Sequence, residues 1–342
     1  MSQETVMLAH GSGGTLGHEL VRDLFLRYLR DPLLTALEDA SNVPWNEQGG
    51  DQEGRLVFTT DSYVVNPLFF PGGDIGKLAV CGTINDLSMR GAQPLCLSAG
   101  FILEEGLPLA DLERVVASMA HTAEAAGVRI VTGDTKVVER GSADGLFINT
   151  AGIGIVPPGV RISARRAQPG DVILLSGAVG DHGLAIMTQR EGLRFEGALQ
   201  SDCAPLNGLV QAMLQAVPDI HVLRDPTRGG LATTLNELAE QSGVGIEIDE
   251  SAVPIHDAVR AAGEVLGLDP LYVANEGKLV AMAPADDALR LLEAMRAHPE
   301  GREAALIGRV TGEHPGQVVL RTILGTRRLL DMLAGEQLPR IC

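Results

Sequence analysis

Two consecutive prolines and a glycine, Pro157-Pro158-Gly159, interrupt this 342-residue chain just before its midpoint. Proline offers no backbone N–H and holds its own φ at about −65°, so a strand running into such a pair must stop. The apolar run from Phe147 to Val156 therefore reads as a strand that ends at a domain boundary. With 45% apolar residues, each side of that break can build a core of its own.

Before the break, Leu56 to Thr60 reads as a strand that delivers Asp61 at its end. Residues 76–90 read as a helix carrying Asn85 and Asp86 in its last turns, with Gly91 as the stop. Leu95 to Ile102 is a second strand. From Asp111, the positions Leu112, Val115, Val116, Met119, Ala120 and Ala123 follow helical spacing until Gly127. Val128 to Thr132 is then a short strand opening into Gly133-Asp134-Thr135-Lys136. After the break come a buried-type strand at Val172 to Leu175, a Gly-rich turn over 177–183 and a helix to Arg190. Helices are expected around 206–216, 229–242, 254–266 and 284–297, and strands near 246–248, 279–283 and 317–322. No regular βαβ alternation emerges, so the expected fold class is α+β in two domains. The divisions are 1–157, 158–326 and a mobile tail over 327–342 that carries Cys342.

Composition removes several classes of function. A net charge of −17 and only 3% aromatics leave no basic track and no stacking platform for nucleic acid. No run reaches the roughly 18 apolar residues of a membrane span, and no Arg-rich leader opens the chain, so the cytoplasm is expected. Cys81, Cys96, Cys203 and Cys342 form no CxxC pair, which suits a reducing compartment.

The chemistry-bearing segments are short Gly/Asp loops. His10-Gly11-Ser12-Gly13-Gly14 precedes a helix and can turn backbone N–H groups toward phosphate. Asp61, Asp86 and Asp134 each stand where an element runs out, with Asp39 and Asp51 in the loop region before them. Hard carboxylates so placed suit Mg²⁺ shared with phosphates. Lys136 is one of three lysines among 27 basic residues, which marks a place for a compact ammonium rather than a guanidinium. In the second half, Gly180-Asp181-His182-Gly183 opens a helix, and His182 is either a base or a turn residue. Asp225-Pro226-Thr227-Arg228-Gly229-Gly230 suits anion contact or interdomain bracing, and Glu276 in Asn275-Glu276-Gly277-Lys278 is either a base or a loop carboxylate. The chain ends Pro339-Arg340-Ile341-Cys342, a thiol at the tip of a partly stiffened tail, as a covalent carrier requires.

Taken together, these segments resemble the HypE family of hydrogenase maturation factors, within the aminoimidazole ribonucleotide synthetase-like superfamily. The Asp-bearing motifs are shared across that superfamily, and the Pro-Arg-Ile-Cys ending singles out the family. The resemblance implies a ferredoxin-like N-terminal domain whose sheet joins a second copy in a homodimer barrel, followed by an α+β C-terminal domain. It implies ATP with Mg²⁺ on Asp61, Asp86 and Asp134, and nucleotide contacts from Asp39, Gly13 and Gly14. It further implies that a HypF-type carbamoyltransferase loads Cys342, and that ATP-dependent dehydration converts the S-carbamoyl group to S-cyanocysteine. Lys136 would stabilise the oxygen being phosphorylated and Glu276 would collect the nitrogen-bound proton. A HypC–HypD complex would then accept cyanide for the Fe(CN)₂CO centre of [NiFe]-hydrogenase. Two other readings compete: a carrier or scaffold whose Cys342 holds a group while another protein does the chemistry, and a related ATP-dependent small-molecule kinase.

Overall fold

The computed structural model describes residues 10, 14–29, 33–43, 54–193, 199–333, 338 and 340–342. An N-terminal helix α1 (Thr15–Leu20) passes through a π-helical stretch, Val21–Phe25, into the short α2 (Leu26–Tyr28). Then follow β1 (Ser41–Val43), β2 (Arg55–Tyr63), the small hairpin of β3 (Phe69–Phe70) and β4 (Gly73–Asp74), and helix α3 (Ile75–Met89). Strand β5 (Gln93–Glu104), helix α4 (Leu109–Ala125), and strands β6 (Arg129–Val138) and β7 (Leu146–Val156) complete the first domain. Its sheet has the order β1-β2-β7-β5-β6, antiparallel except for the β5–β6 pair, which α4 connects.

Alternation explains how this sheet is clothed. In β7, Leu146, Ile148, Thr150, Gly152, Gly154 and Val156 are buried and the residues between them are not, the period of two of a one-sided strand. The buried face lies under α3 and α4. Helix α4 offers Val115, Met119, Thr122 and Ala123, a single stripe at helical spacing. Helix α3 is buried on nearly every side, being caught between the sheet, α4 and the second domain. Its N-cap is Asp74, whose carboxylate accepts from Gly76 N at 2.7 Å and Lys77 N at 3.1 Å. A Cβ at Gly82 would fall 2.2 Å from the Tyr63 hydroxyl, so glycine there lets α3 settle onto β2.

The second domain contains β8 (Asp171–Leu175), α5 (Asp181–Arg190), α6 (Asn207–Ala216), β9 (Val222–Arg224), α7 (Gly230–Ser242), β10 (Gly245–Asp249) and α8 (Asp257–Leu266). It finishes with β11 (Val280–Pro284), α9 (Ala288–Ala297), β12 (Ala305–Thr311), β13 (Val318–Arg321) and β14 (Arg327–Leu329). The sheet order is β14-β13-β10-β12-β8-β11-β9. Helices cover both faces: Val280 and Met282 join the α7 core, while Ala281 and Ala283 join the core built from α6 and α9. Two-sided burial is why β8 and β11 read as unbroken apolar runs. Each fully buried Leu or Ile in such a core contributes about 1.5–3 kcal/mol.

Two expectations are corrected. Gly133 to Lys136 is no loop, because β6 continues to Val138 with Asp134 paired to Gly100 and Lys136 to Ile102. The tail does not begin at 327, because Arg327–Leu329 pairs with β13 and Leu330 is buried in the second core. Strands β1, β3, β4, β9, β12 and β14 escape the sequence reading altogether, all but β12 because two or three residues carry no periodicity. No helix among the described residues is long and apolar enough to cross a membrane.

Candidate active site

A cavity of about 500 Å³ opens between the two domains. From the first domain, β2 contributes Thr59, Thr60 and Asp61, and α3 contributes Gly82 and Asp86. From the second, β9 delivers Arg224 and Asp225, and the turn before α7 delivers Thr227 and Arg228. Glu276 and Cys342 complete the wall at one side, and Asp39 with Glu38 at another.

The densest charge is a trio of carboxylates. One oxygen each from Asp39, Asp86 and Asp225 lies within 4.8 Å of the others. Enclosure pushes Asp39 up to about 7; Arg224 opposes the shift and Asp225 adds to it. Asp225 rises to about 6 for the same reason, again held down by Arg224. Asp86 rises well above the carboxylate range through burial and then through repulsion from Asp225, Asp61 and Asp39. Thr59 Oγ1 sits 2.8 Å from Asp86 Oδ2 and 2.9 Å from the Asp39 carbonyl, tying the loop to the strand. Three hard oxygen donors converging under mutual repulsion fit a divalent cation, with Mg²⁺ the natural choice beside phosphates. Arg224 bonds Asp39 Oδ1 through Nε at 2.9 Å and Glu237 Oε2 through Nη2 at 3.0 Å. Its Nη1 is enclosed and has no hydrogen-bond partner among the described residues.

The opposite wall is the chain's own end. Val64 N donates to the Cys342 carbonyl oxygen at 3.1 Å and Asn66 N to the Arg340 carbonyl at 3.2 Å, a strand-like bridge onto the continuation of β2. Arg340 reaches Val64 O at 3.1 Å through Nε and pairs with Asp144, and Arg190 donates to the Arg340 carbonyl. Ile341 is buried in the first-domain core. His182 Nε2 lies 2.7 Å from Ile341 O, which can only accept, so Nε2 carries the proton and Nδ1 accepts from Ser201 Oγ at 2.7 Å. His182 is thus a latch for the tail rather than a base at the reacting atoms. Burial pushes the Cys342 thiol up to about 12; Arg228 opposes, while Glu276 and Asp61 reinforce it. Glu276 itself is driven well above its ordinary range, by burial first.

Three sequence motifs meet to hold Glu276. Asn275 accepts from Gly180 N at 2.8 Å and donates to Pro226 O at 2.9 Å, joining turns read separately in the sequence. Asp202 accepts from Glu276 N and Gly277 N, each at 3.1 Å. A Cβ on Gly277 would meet Asp202 O at 1.9 Å, so only glycine lets this clamp close. Asn85 is also structural: it bonds Ala204 O at 3.1 Å and Leu206 N at 2.8 Å, pinning α3 to the second domain.

The expected residues divide into groups. Cys342, Glu276, Asp39, Asp61 and Asp86 converge on the cavity. Asp134 and Lys136 do not: they pair with each other at 2.9 Å on exposed β6. Three strand spacings, about 14 Å of sheet, separate β6 from the strand bearing Asp61. Within one chain the acid trio is therefore Asp39, Asp86 and Asp225, so of the three residues expected on Mg²⁺ only Asp86 belongs to it. Gly14 caps α1 against Leu333, where a Cβ would meet the carbonyl at 2.4 Å, and Gly17 lines the cavity in its place. Gly13 and Asp51 lie outside the described residues. Sequence reasoning missed Arg224 and the metal-type role of Asp225. The one available signal was a carboxylate ahead of a rigid Pro226 turn.

The two-domain fold with a carboxylate-lined interdomain cleft defines a class: the chain belongs to the AIR synthase related proteins. The N-terminal domain of that family matches residues 38–156 and its C-terminal domain residues 168–321. Within it, this chain is a member of the HypE carbamoyl dehydratase family. It is 58% identical to the carbamoyl dehydratase HypE of Azotobacter vinelandii, over 99% of this chain and 97% of that protein. A crystal structure of the hydrogenase maturation protein HypE in complex with ATP is 54% identical, with a TM-score of 0.82, covering 99% of this chain and 100% of that one. A HypE–HypF complex superposes with a TM-score of 0.86 at 49% identity, covering 92% of this chain and 99% of that chain.

Proposed function

We propose that this protein dehydrates an S-carbamoyl group on its own Cys342 to S-cyanocysteine at the expense of ATP. The observation that carries the reading is the docked tail: Cys342 lies in the wall of the interdomain cavity that also holds the acid trio, with Arg228 and Glu276 acting on its thiol. The carbamoyl oxygen attacks the γ-phosphorus, ADP leaves, and an oxide leaving group has become phosphate. Phosphate then departs and the nitrogen gives up both its protons, one carried off on phosphate, so carbamoyl-cysteine and ATP become cyano-cysteine, ADP, hydrogen phosphate and a proton.

The residues suit these demands. Asp39, Asp86 and Asp225 would hold Mg²⁺, which supplies charge neutralisation for the phosphates. Arg228 in the cavity wall and the N-terminus of α7 offer donors to anionic oxygens. Glu276, enclosed and therefore strongly basic once ionised, takes the nitrogen-bound proton. A buried thiolate is disfavoured here, so the docked tail carries a neutral sulfur, as the thiol or as the carbamoyl thioester, and not the free nucleophile. Loading belongs outside, on a HypF-type partner, and delivery of cyanide to a HypC–HypD acceptor for the Fe(CN)₂CO centre of [NiFe]-hydrogenase follows in the cytoplasm. A homodimer would cover the open first sheet and bring Asp134 and Lys136 of one copy to the cleft of the other. Lys136 would then meet the oxygen that is phosphorylated.

Intact mass of the carbamoylated protein before and after Mg-ATP tests the reaction. Loss of one water at Cys342 supports it. An unchanged adduct leaves only the carrier reading.

A further inference from the structure

We infer that Glu38 is a positioning residue for the cation site: it clamps the loop bearing Asp39 to helix α3 and to the linker, so the carboxylate trio stands assembled before the ion arrives. The inference rests on the reading of Asp39, Asp86 and Asp225 as the cation's ligands. Three converging carboxylates repel one another, and Asp39 sits on a loop, so another contact has to hold that loop close. Glu38 supplies it. Its Oε2 lies 2.6 Å from Arg90 Nη1 as an ion pair, with the two side chains 12% and 7% exposed. Ser163 Oγ donates to Glu38 Oε1 at 2.5 Å, and Ala164 N donates to Oε2 at 3.2 Å. Both oxygens are thus engaged, and Glu38 stays outside the trio that its neighbour joins.

The spacing gives the clamp its aim. Arg90 is the C-cap of α3 and follows Asp86 by four residues, so the two lie one turn apart on the same face. Glu38 and Asp39 are adjacent in the loop, so when Glu38 meets Arg90, Asp39 comes level with Asp86. Asp39 then pairs with Arg224 Nε at 2.9 Å, and its carbonyl accepts from Thr59 Oγ1 at 2.9 Å. Just ahead of the clamp, Leu37 holds φ at +52°. That left-handed conformation costs a non-glycine residue free energy and persists where its surroundings over-determine it. Ser163 and Ala164 lie past the Pro157-Pro158-Gly159 break, and Ala164 is buried in the second-domain core. One carboxylate therefore ties the Asp39 loop both to the helix that carries Asp86 and to the domain that carries Asp225.

Mn²⁺ titration of the full chain without nucleotide, followed by electron paramagnetic resonance, tests this. Glu38→Gln should weaken affinity by roughly tenfold, the result of an assembled fraction that falls to about a tenth. Ser163→Ala changes no charge and removes only the donor to Glu38 Oε1, so it separates positioning from the loss of a negative charge near the ion. It should weaken Mn²⁺ by about two- to fivefold. In cyanation, Ser163→Ala should raise the Mg²⁺ concentration for half-maximal turnover and leave the rate at saturation near wild type. If Glu38→Gln does not fold, Ser163→Ala carries the test. Wild-type Mn²⁺ affinity in folded Ser163→Ala would overturn the inference and leave the trio as the cation site. So would a Ser163→Ala rate that stays low at saturating Mg²⁺, since a clamp that only assembles the site costs affinity and not chemistry. Wild type without saturable Mn²⁺ binding would overturn the reading of the trio, and this inference with it.

Discussion

The two sheets of this protein are finished to different degrees. In the second, β11 has Val280, Ala281, Met282 and Ala283 wholly buried, with helices on both faces. In the first, every residue of β6 from Arg129 to Val137 is exposed, and Phe58, Leu95 and Ile102 stand open on neighbouring strands. A self-sufficient sheet and an unfinished one share a single cleft. The second domain and the tail bring their chemistry complete within one chain, as Arg224, Asp225, Arg228, Glu276 and Cys342. The first brings Asp61 and Asp86 but leaves Asp134 and Lys136 on its bare edge. An exposed apolar strand edge is a site for pairing, and here it carries the two residues that the proposed reaction would draw from a second copy.

The largest effect expected lies on the complete side. Cys342→Ala should abolish cyanation whatever the protein concentration, while ATP binding and melting temperature stay near wild type, because Ala removes one sulfur and leaves the Arg340 and Ile341 anchors of the tail in place. Full cyanation of that variant, read by mass spectrometry, would transfer the role to Cys81, Cys96 or Cys203.

Next in size are the two residues that divide between the halves. Glu276→Gln and Lys136→Ala should each slow single-turnover conversion of preloaded carbamoyl-Cys342 by about 10²–10⁴-fold, with Mg-ATP affinity little changed for Glu276→Gln. Mixing the two variants should restore activity, because a heterodimer then holds one cleft with both residues intact. Failure of mixed subunits to recover any rate would place Lys136 out of the reaction or in its own chain's site.

A smaller effect tests the bare edge itself. Val131 and Val137 are 54% and 67% exposed. Replacing both by Glu should change the stability of one folded chain by no more than about 0.5 kcal/mol per site. It should, however, shift sedimentation from dimer toward monomer, since like charges would face a second copy. A wild-type monomer, or a variant as dimeric as wild type, breaks the proposed pairing.

The same contrast explains what the sequence could disclose. Helices α3 and α4 were legible because capping and one apolar stripe announce them: Gly91 and Gly127 take φ of +69° at their ends. Strands β8 and β11 were legible because burial on both faces makes an apolar run. The Gly/Asp motifs named Asp61, Asp86, Glu276 and Cys342, since local residue types mark loops that hold ligands. Motifs carry no distances, however. Asp134 follows the same Gly-Asp pattern as a cleft residue, yet parallel pairing with β5 carries it to the sheet edge. Arg224 went unrecognised, and Asp225 was read only for anion contact or interdomain bracing, because their meaning depends on Asp39, which approaches only after both domains fold. The docked tail was equally out of reach: His182 and Val64 become its anchors through tertiary contacts alone.

The smallest effect expected is on cation affinity, and its sign follows from the acid trio. Asp225 titrates near 6 and Asp39 near 7, both raised by burial, so each holds a proton below its value and loses it above. A divalent ion binds the deprotonated carboxylates and must displace those protons. Affinity should therefore fall as the solution is acidified through this range, by at most about tenfold per pH unit for each proton displaced. Mn²⁺ titration from about pH 8 to about pH 5.5, followed by electron paramagnetic resonance without nucleotide, reads this directly. Asp86 is raised further by burial and by its neighbours and also gives up its proton to the ion; Asp225→Asn removes the lowest of the three titrations and should flatten the lower part of the curve while weakening binding at high pH. A pH-independent affinity in wild type would separate the ion from the Asp39–Asp86–Asp225 cluster. It would then turn attention to Asp61 and whatever the unfinished sheet brings from a second copy.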